Sequence, residues 1–231
     1  MTCGLYGKLP MKRDFISVSV PQPFLALWEP WLQDGLQASR DALGDRWRPA
    51  FQQAPIWRFW LGAGLCGVSV LGSFMPSIDG VGRYFPLTAF ACADPGAFFS
   101  PPQHDAQPDW FSRVEEMLLG VLDDAASYDA TLEILNRLPA PTSGDTAAGG
   151  VAIVSSAAII MCDEDGLERG LATLAEDRAG SRLRSSCFLW TIGGDNLKPI
   201  ALLSEGLPDA SIFDGLLTGD FIAPDKRESG L

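Results

Sequence analysis

Three runs rich in apolar, β-branched and aromatic residues, Ile56–Leu61, Cys66–Met75 and Arg83–Cys92, follow one another across short connections that contain Gly-Ala-Gly and Ser-Ile-Asp-Gly-Val-Gly. Parallel neighbours in a sheet need a crossover of about a dozen or more residues. Connections this short allow only an antiparallel meander, so an antiparallel sheet must lie at the centre of the fold.

The flanking segments supply helices and further strands. Cys3–Leu9 reads as a short strand ending in Lys8-Leu9-Pro10. From Pro21 to Leu43 apolar residues recur at Phe24, Leu27, Trp28, Trp31, Leu32, Leu36 and Leu43, close to helical spacing, and Leu27, Trp31 and Leu32 are expected to be buried. Pro30 predicts a kink or a break in that helix, and Gly44-Asp45 ends it. Asp94–Asp109, with four prolines, reads as loop; Trp110–Ala126 and Ala130–Leu138 read as helices. Pro139–Gly150 (PAPTSGDTAAGG) reads as a flexible connector. Beyond it come a strand over Val151–Met161 (a buried helix being the alternative) and a helix over Asp165–Ala179. Two strands follow, Ser186–Ile192 and Pro199–Ser204, across Gly193-Gly194, and a last helix covers Asp209–Leu217. The order β-α-β-β-β-α-α-β-α-β-β-α, with no internal repeat, predicts the α+β class: a central, largely antiparallel sheet flanked by helices. Residues 1–231 are read as a single domain, with the connector near 139–150 between an aromatic N-terminal part and an acidic C-terminal part.

Charge divides the same way. Up to residue 100 there are eight basic and seven acidic residues; from 101 onward there are nine basic and twenty-two acidic, within a formal net charge of −12. Five of the seven tryptophans fall between Trp28 and Trp60. A chain this acidic is repelled by phosphate backbones and anionic leaflets, which argues against nucleic-acid and peripheral membrane roles. No apolar run approaches the ~20 residues of a spanning helix. The N-terminus lacks the basic and apolar regions of a signal peptide, so a cytoplasmic location is expected. The five cysteines are scattered among apolar or small residues without any C-x-x-C, as expected of buried free thiols.

Motifs associated with chemistry do not hold together. Gly62-Ala63-Gly64-Leu65-Cys66-Gly67 matches G-x-G-x-x-G, but Val68-Ser69-Val70-Leu71 follows where a dinucleotide site needs a helix, so a glycine hairpin is expected. Gly4-Leu5-Tyr6-Gly7-Lys8 has two residues between its glycines where a phosphate-binding loop has four, and Leu9 stands at the magnesium hydroxyl position. Asp163-Glu164-Asp165-Gly166 resembles a calcium loop, but Leu174 occupies the place of the bidentate glutamate. The lone histidine, His104, lies in the proline-rich loop, and Ser69 lacks the second glycine of a nucleophile elbow. No metal site, cofactor or catalytic residue is expected.

One segment carries more rigid and charged residues than a connection needs. Pro76-Ser77-Ile78-Asp79-Gly80-Val81-Gly82-Arg83-Tyr84-Phe85-Pro86-Leu87 joins two strands with turn residues, a charge pair and two aromatics, and Lys8-Leu9-Pro10 with Asp14-Phe15 forms a second cluster. Asp79 and Arg83 either brace the turn or help to form a recognition surface, for which fixed loops bearing Arg and aromatic side chains are suited. The candidate partner-binding residues are Lys8, Asp14, Pro76, Ser77, Asp79, Gly82, Arg83 and Tyr84.

The same residues resemble a known family, the TagF/ImpM proteins associated with type VI secretion. The likeness runs through Gly7-Lys8-Leu9-Pro10 with Asp14-Phe15, Trp31-Leu32 with Gly35-Leu36, Ala54-Pro55-x-Trp57-Arg58-Phe59 and Pro76-Ser77-x-Asp79-x-x-Gly82-Arg83-Tyr84-Phe85-Pro86-Leu87. Leu189-Trp190-Thr191-Ile192-Gly193 and Gly206-Leu207-Pro208 extend it. Arg13 departs from the glycine usual before Asp-Phe, and Phe188-Leu189-Trp190 from the usual paired tryptophans. The resemblance implies a longin-like layered domain. It also implies a bacterial, non-catalytic negative regulator that represses type VI secretion after translation, by protein–protein interaction with the forkhead-associated scaffold protein. The alternatives from the residues themselves are a hydrolase or phosphatase with a carboxylate site, and a nucleotide-binding switch through Lys8 and Arg83.

Overall fold

The computed structural model describes residues 2–145, 158–161, 183–194 and 197–221. The meander forms as its short connections require: β3 (Trp57–Leu61), β4 (Val70–Met75) and β5 (Leu87–Cys92) pair antiparallel in sequence order. β1 (Thr2–Gly7) joins the free side of β5, and β2 (Ile16–Val18) covers the last residues of β1. On the other side β3 pairs with β9 (Ser186–Thr191), which pairs with β10 (Ile200–Glu205) and so leads to β8 (Ala158–Met161). Among the described residues the result is an eight-stranded sheet in the order β2-β1-β5-β4-β3-β9-β10-β8, with every pair antiparallel. The fold is α+β.

All five residues of β3 are buried, so helices must cover both faces of the sheet. The two-residue alternation of the strand divides its side chains. Trp57, Phe59 and Leu61 face one apolar cluster; Trp60 faces the other. The first cluster is closed by α1 (Gln22–Leu43), α2 (Trp47–Gln53) and, near the C-terminus, α6 (Phe213–Thr218). The second is closed by α4 (Pro108–Gly120) and α5 (Tyr128–Arg137).

Helix α1 presents Phe24, Trp28, Trp31, Leu32 and Leu36 to the sheet, with Phe24 4.4 Å from the Phe90 ring and Trp28 4.3 Å from Phe59. Leu27, expected to be buried, is only half-buried at the edge of this stripe. A buried indole needs a partner for its N–H. Trp28 donates to Thr88 Oγ1 at 3.0 Å, Trp31 to the Pro208 carbonyl at 2.8 Å and Trp57 to the Leu216 carbonyl at 2.9 Å. These bonds fix α1 and the α6 region to one face.

Several local expectations need correction. No break occurs at Pro30: α1 continues through it, because the aromatic stripe packed on both sides holds the chain helical despite one missing hydrogen bond. The Gly62–Gly67 connection is not a simple hairpin, since Ala63–Cys66 forms a single helical turn, α3, closed by Gly67 at φ 89°. Strands expected to begin at Cys66 and Arg83 begin at Val70 and Leu87, because the preceding residues serve the turns. The loop over Asp94–Asp109 contains β6 (Ala97–Phe98), paired with β7 (Gly144–Asp145). Part of the expected flexible connector is therefore anchored, and Gln107 and Thr142 reinforce it with two mutual hydrogen bonds of 2.7 Å. Helix α4 ends at Gly120, six residues short of Ala126. The 158–161 part of the expected Val151–Met161 run is strand; its remainder, the Asp165–Ala179 helix, Cys162 and the calcium-like acidic motif lie outside the described residues.

Candidate functional site

β4 and β5 are joined by the long connection Pro76–Pro86, and its folding follows from Asp79. The Asp79 N–H donates to the Arg83 carbonyl at 3.1 Å, and Gly82 N–H returns to the Asp79 carbonyl at 3.0 Å. This geometry needs Gly82 at φ 87°, a conformation that glycine adopts without steric cost. The Asp79 side chain then turns inward. Its Oδ1 accepts from the backbone N–H of Val81 at 3.1 Å and of Arg83 at 2.9 Å. Its Oδ2 accepts from Lys8 Nζ at 2.8 Å and from Arg83 Nε at 2.7 Å.

Lys8 reaches Asp79 because β1 ends beside this connection. At Gly7 (φ 129°), a Cβ would stand 2.0 Å from the Pro86 carbonyl oxygen, so glycine permits the close approach. Ser77 Oγ donates to the Lys8 carbonyl at 2.8 Å, Gly80 N–H to the Lys12 carbonyl at 2.8 Å, and Arg83 Nη2 to the Arg13 carbonyl. The loop after β1 and the β4–β5 connection are thus cross-linked along their length. Lys12 adds a contact to the start of α5, its ammonium 3.9 Å from the Tyr128 ring centre.

Electrostatics set the character of the site. Burial of Asp79 pulls its pKa upward, but the bonds from Lys8, Arg83 and the Val81 N–H outweigh it and hold the carboxyl well below the usual carboxylate range. Lys8 and Asp79 have side-chain exposures of 5% and 0%, against 57% for Arg83. The turn therefore neutralises two charges internally and presents the third. On the two loops that carry this unit, Arg13 and Asp14 are exposed, and Phe15 and Val81 are about half-exposed. Phe15 is held by an edge contact to Phe85 at 4.8 Å and lies 4.9 Å from Lys8 Nζ.

The structure brings Lys8, Ser77, Asp79, Gly82 and Arg83 into one hydrogen-bonded unit. Asp14 is exposed beside it and, among the described residues, makes no hydrogen bond or ion pair. Tyr84 turns to the other side of the connection, against Trp47 and Phe51 at 5.6 Å each. Pro76 lines a small apolar cleft at the base of the connection with Pro55 and Pro86. Sequence reasoning missed the part of Lys12 and Arg13, which act through backbone carbonyls and so leave no side-chain signature. It also missed the pairing of Arg58 of β3 with Glu115 of α4, at 2.5 and 2.9 Å. His104 is exposed in its loop.

The model of the TagF N-terminal domain, type VI secretion system-associated, matches residues 4–138, more than half of the chain. The chain belongs to the TagF family. The matched region contains the whole Lys8–Asp79–Arg83 unit. The TagF chain also resembles a solved structure, that of PA0076 from Pseudomonas aeruginosa PAO1, with 29% identity, a TM-score of 0.74 and 96% of each chain covered. No curated protein matches it. As a TagF protein the chain is associated with type VI secretion. Among the described residues, no helix is long and apolar enough to cross a membrane.

Proposed function

We propose that this TagF chain is a non-catalytic negative regulator of type VI secretion, acting after translation in the cytoplasm by binding the forkhead-associated scaffold protein of the apparatus. The observation that carries the reading is how the family's most distinctive residues are used. Asp79 is buried and held by four donors, Lys8 is buried against it, and together they hold Arg83 outward on a cross-linked tip. A carboxylate so enclosed is poorly placed to act on a substrate, and a lysine committed to it is poorly placed to meet a nucleotide phosphate. A rigid tip bearing an arginine and exposed apolar side chains suits protein recognition.

The test joins binding to repression. The tagged protein is expected to retain the purified scaffold protein, and its overproduction to reduce type VI secretion without lowering the amounts of the apparatus components. Failure to bind any cytosolic component, or phosphoesterase activity lost in Asp79→Ala, would overturn the reading.

A further inference from the structure

We infer that the partner of this tip is an acidic protein segment, one of whose Asp or Glu carboxylates docks on the outer edge of Arg83, on the loops that also expose Phe15 and Val81. This rests on the binding role proposed above and specifies the chemistry of the partner.

Arg83 is oriented before any partner arrives. Its Nε–H is fixed by Asp79 at 2.7 Å and one Nη2–H by the Arg13 carbonyl. A guanidinium carries five N–H donors in a plane, so these two bonds set the plane and leave Nη1 and the rest of Nη2 directed away from Asp79. Among the described residues these remaining donors have no acceptor, while the side chain is 57% exposed. That outer pair of nitrogens matches the two oxygens of a carboxylate.

Charge complementarity selects the occupant. The loops 8–15 and 79–83 hold Lys8, Lys12, Arg13 and Arg83 against Asp14 and Asp79, a local excess of cations in a chain of net charge −12. Asp79 and Lys8 neutralise one another in the interior, so the solvent meets chiefly Arg83, Arg13 and Asp14, with Lys12 half-buried over the Tyr128 ring. An acidic segment is repelled by the acidic C-terminal part of the chain and attracted here, which orients the encounter. Phe15 and Val81, 48% and 54% exposed, offer apolar area on the same two loops as the cations. A segment carrying an apolar side chain next to its acidic residues would use both.

The probe is an array of overlapping short peptides from the cytosolic proteins of the type VI apparatus. Each peptide is made in three forms: native, with Asp and Glu replaced by Asn and Gln, and phosphorylated at Ser and Thr. The full chain is expected to bind native acidic peptides, to lose them in the amide form, and to bind more weakly as salt rises. Arg83→Lys and Arg83→Ala should each weaken binding about tenfold or more, because an ammonium cannot replace the planar fork. Should Arg83→Ala melt early, Arg13→Glu reverses an exposed charge whose side chain makes no bond among the described residues, and it too should weaken binding. The inference is overturned if no native acidic peptide binds, if binding survives Arg83→Lys or Arg13→Glu, or if only phosphorylated peptides bind. The two proposals fail separately. Scaffold binding indifferent to Arg83 overturns this surface and leaves the regulator; Arg83-dependent binding of acidic peptides from a different component, without scaffold binding, overturns the named partner and leaves the surface.

Discussion

Lys8 Nζ and Asp79 Oδ2 meet at 2.8 Å across a sequence separation of 71, both side chains buried. The pair clamps the end of β1 to the connection between β4 and β5. Both charges are therefore structural within the folded chain, and only Arg83, bonded to the same carboxylate oxygen, carries charge from this unit to the surface.

Removing one member of that pair should cost more than removing both. Asp79→Ala leaves the Lys8 ammonium buried without its counter-charge and leaves the Val81 and Arg83 N–H groups without their acceptor. We expect a marked fall in Tm, partly recovered when Lys8→Met is combined with it. Thermal melts of the wild type, the two single variants and the double variant check this, and additive losses would contradict it.

Acid should act through the same carboxyl. Its folded pKa lies below its unfolded value of about 3.9. Its ionised form therefore contributes stability that is fully present above the unfolded pKa and is lost as pH falls through the folded pKa. Urea denaturation from neutral pH to pH 3 should show stability falling at the acid end, and the fall should be shallower in Asp79→Asn. Equal slopes for the two proteins would remove Asp79 from the acid response.

The Arg58–Glu115 pair joins β3 to α4, with side-chain exposures of 11% and 14%. Glu115→Ala leaves the Arg58 guanidinium largely buried over Phe111, at 5.1 Å from the ring centre. The expected cost is about 3 kcal/mol, the low end for breaking a buried pair because both side chains keep some solvent. Chemical denaturation measures it, and a change within experimental error would mean that the pair contributes nothing net.

Gly7→Ala tests the approach of β1 to the connection. A methyl group there meets the Pro86 carbonyl at 2.0 Å on a backbone with φ 129°. The expected cost is about 1–3 kcal/mol, with weaker Arg83-dependent binding, since Pro86 closes the segment that carries Arg83. A variant as stable as wild type would show that β1 can shift without disturbing the tip.

Cysteine reactivity should follow burial. The thiolate is the nucleophile, and burial pushes the Cys187 thiol far up and, with smaller effects from Cys66 and Cys3, the Cys92 thiol up to about 12. Cys3, only half-buried, is expected to be alkylated before Cys66, Cys92 and Cys187 in the native protein, as read by mass spectrometry. Early modification of Cys187 would show that β9 opens readily.

Local signals made most of the elements legible. The helical spacing from Phe24 to Leu36 marked α1 and its buried stripe, and the glycine-punctuated runs after Ile56 marked the meander, because both depend on the period of the chain and the length of its connections. Strand Ile16–Val18 and helix Trp47–Gln53 were not legible: three and seven residues are too few to establish a period. In the site, the sequence by itself determined the turn, since Asp79, Gly82 and Arg83 lie within hydrogen-bonding reach of one another along the chain. It also brought Lys8, Asp14 and Arg83 to notice without deciding what each faces. Tertiary structure alone decided that Lys8 is buried against Asp79, that Tyr84 turns toward α2, that β3 pairs with β9, and that Arg58 meets Glu115. The physical reason is range. Periodicity and turn chemistry act over a few residues, whereas the choice of a strand's neighbour or a buried charge's partner is made between residues far apart in sequence, by packing and desolvation that exist only once the sheet has formed.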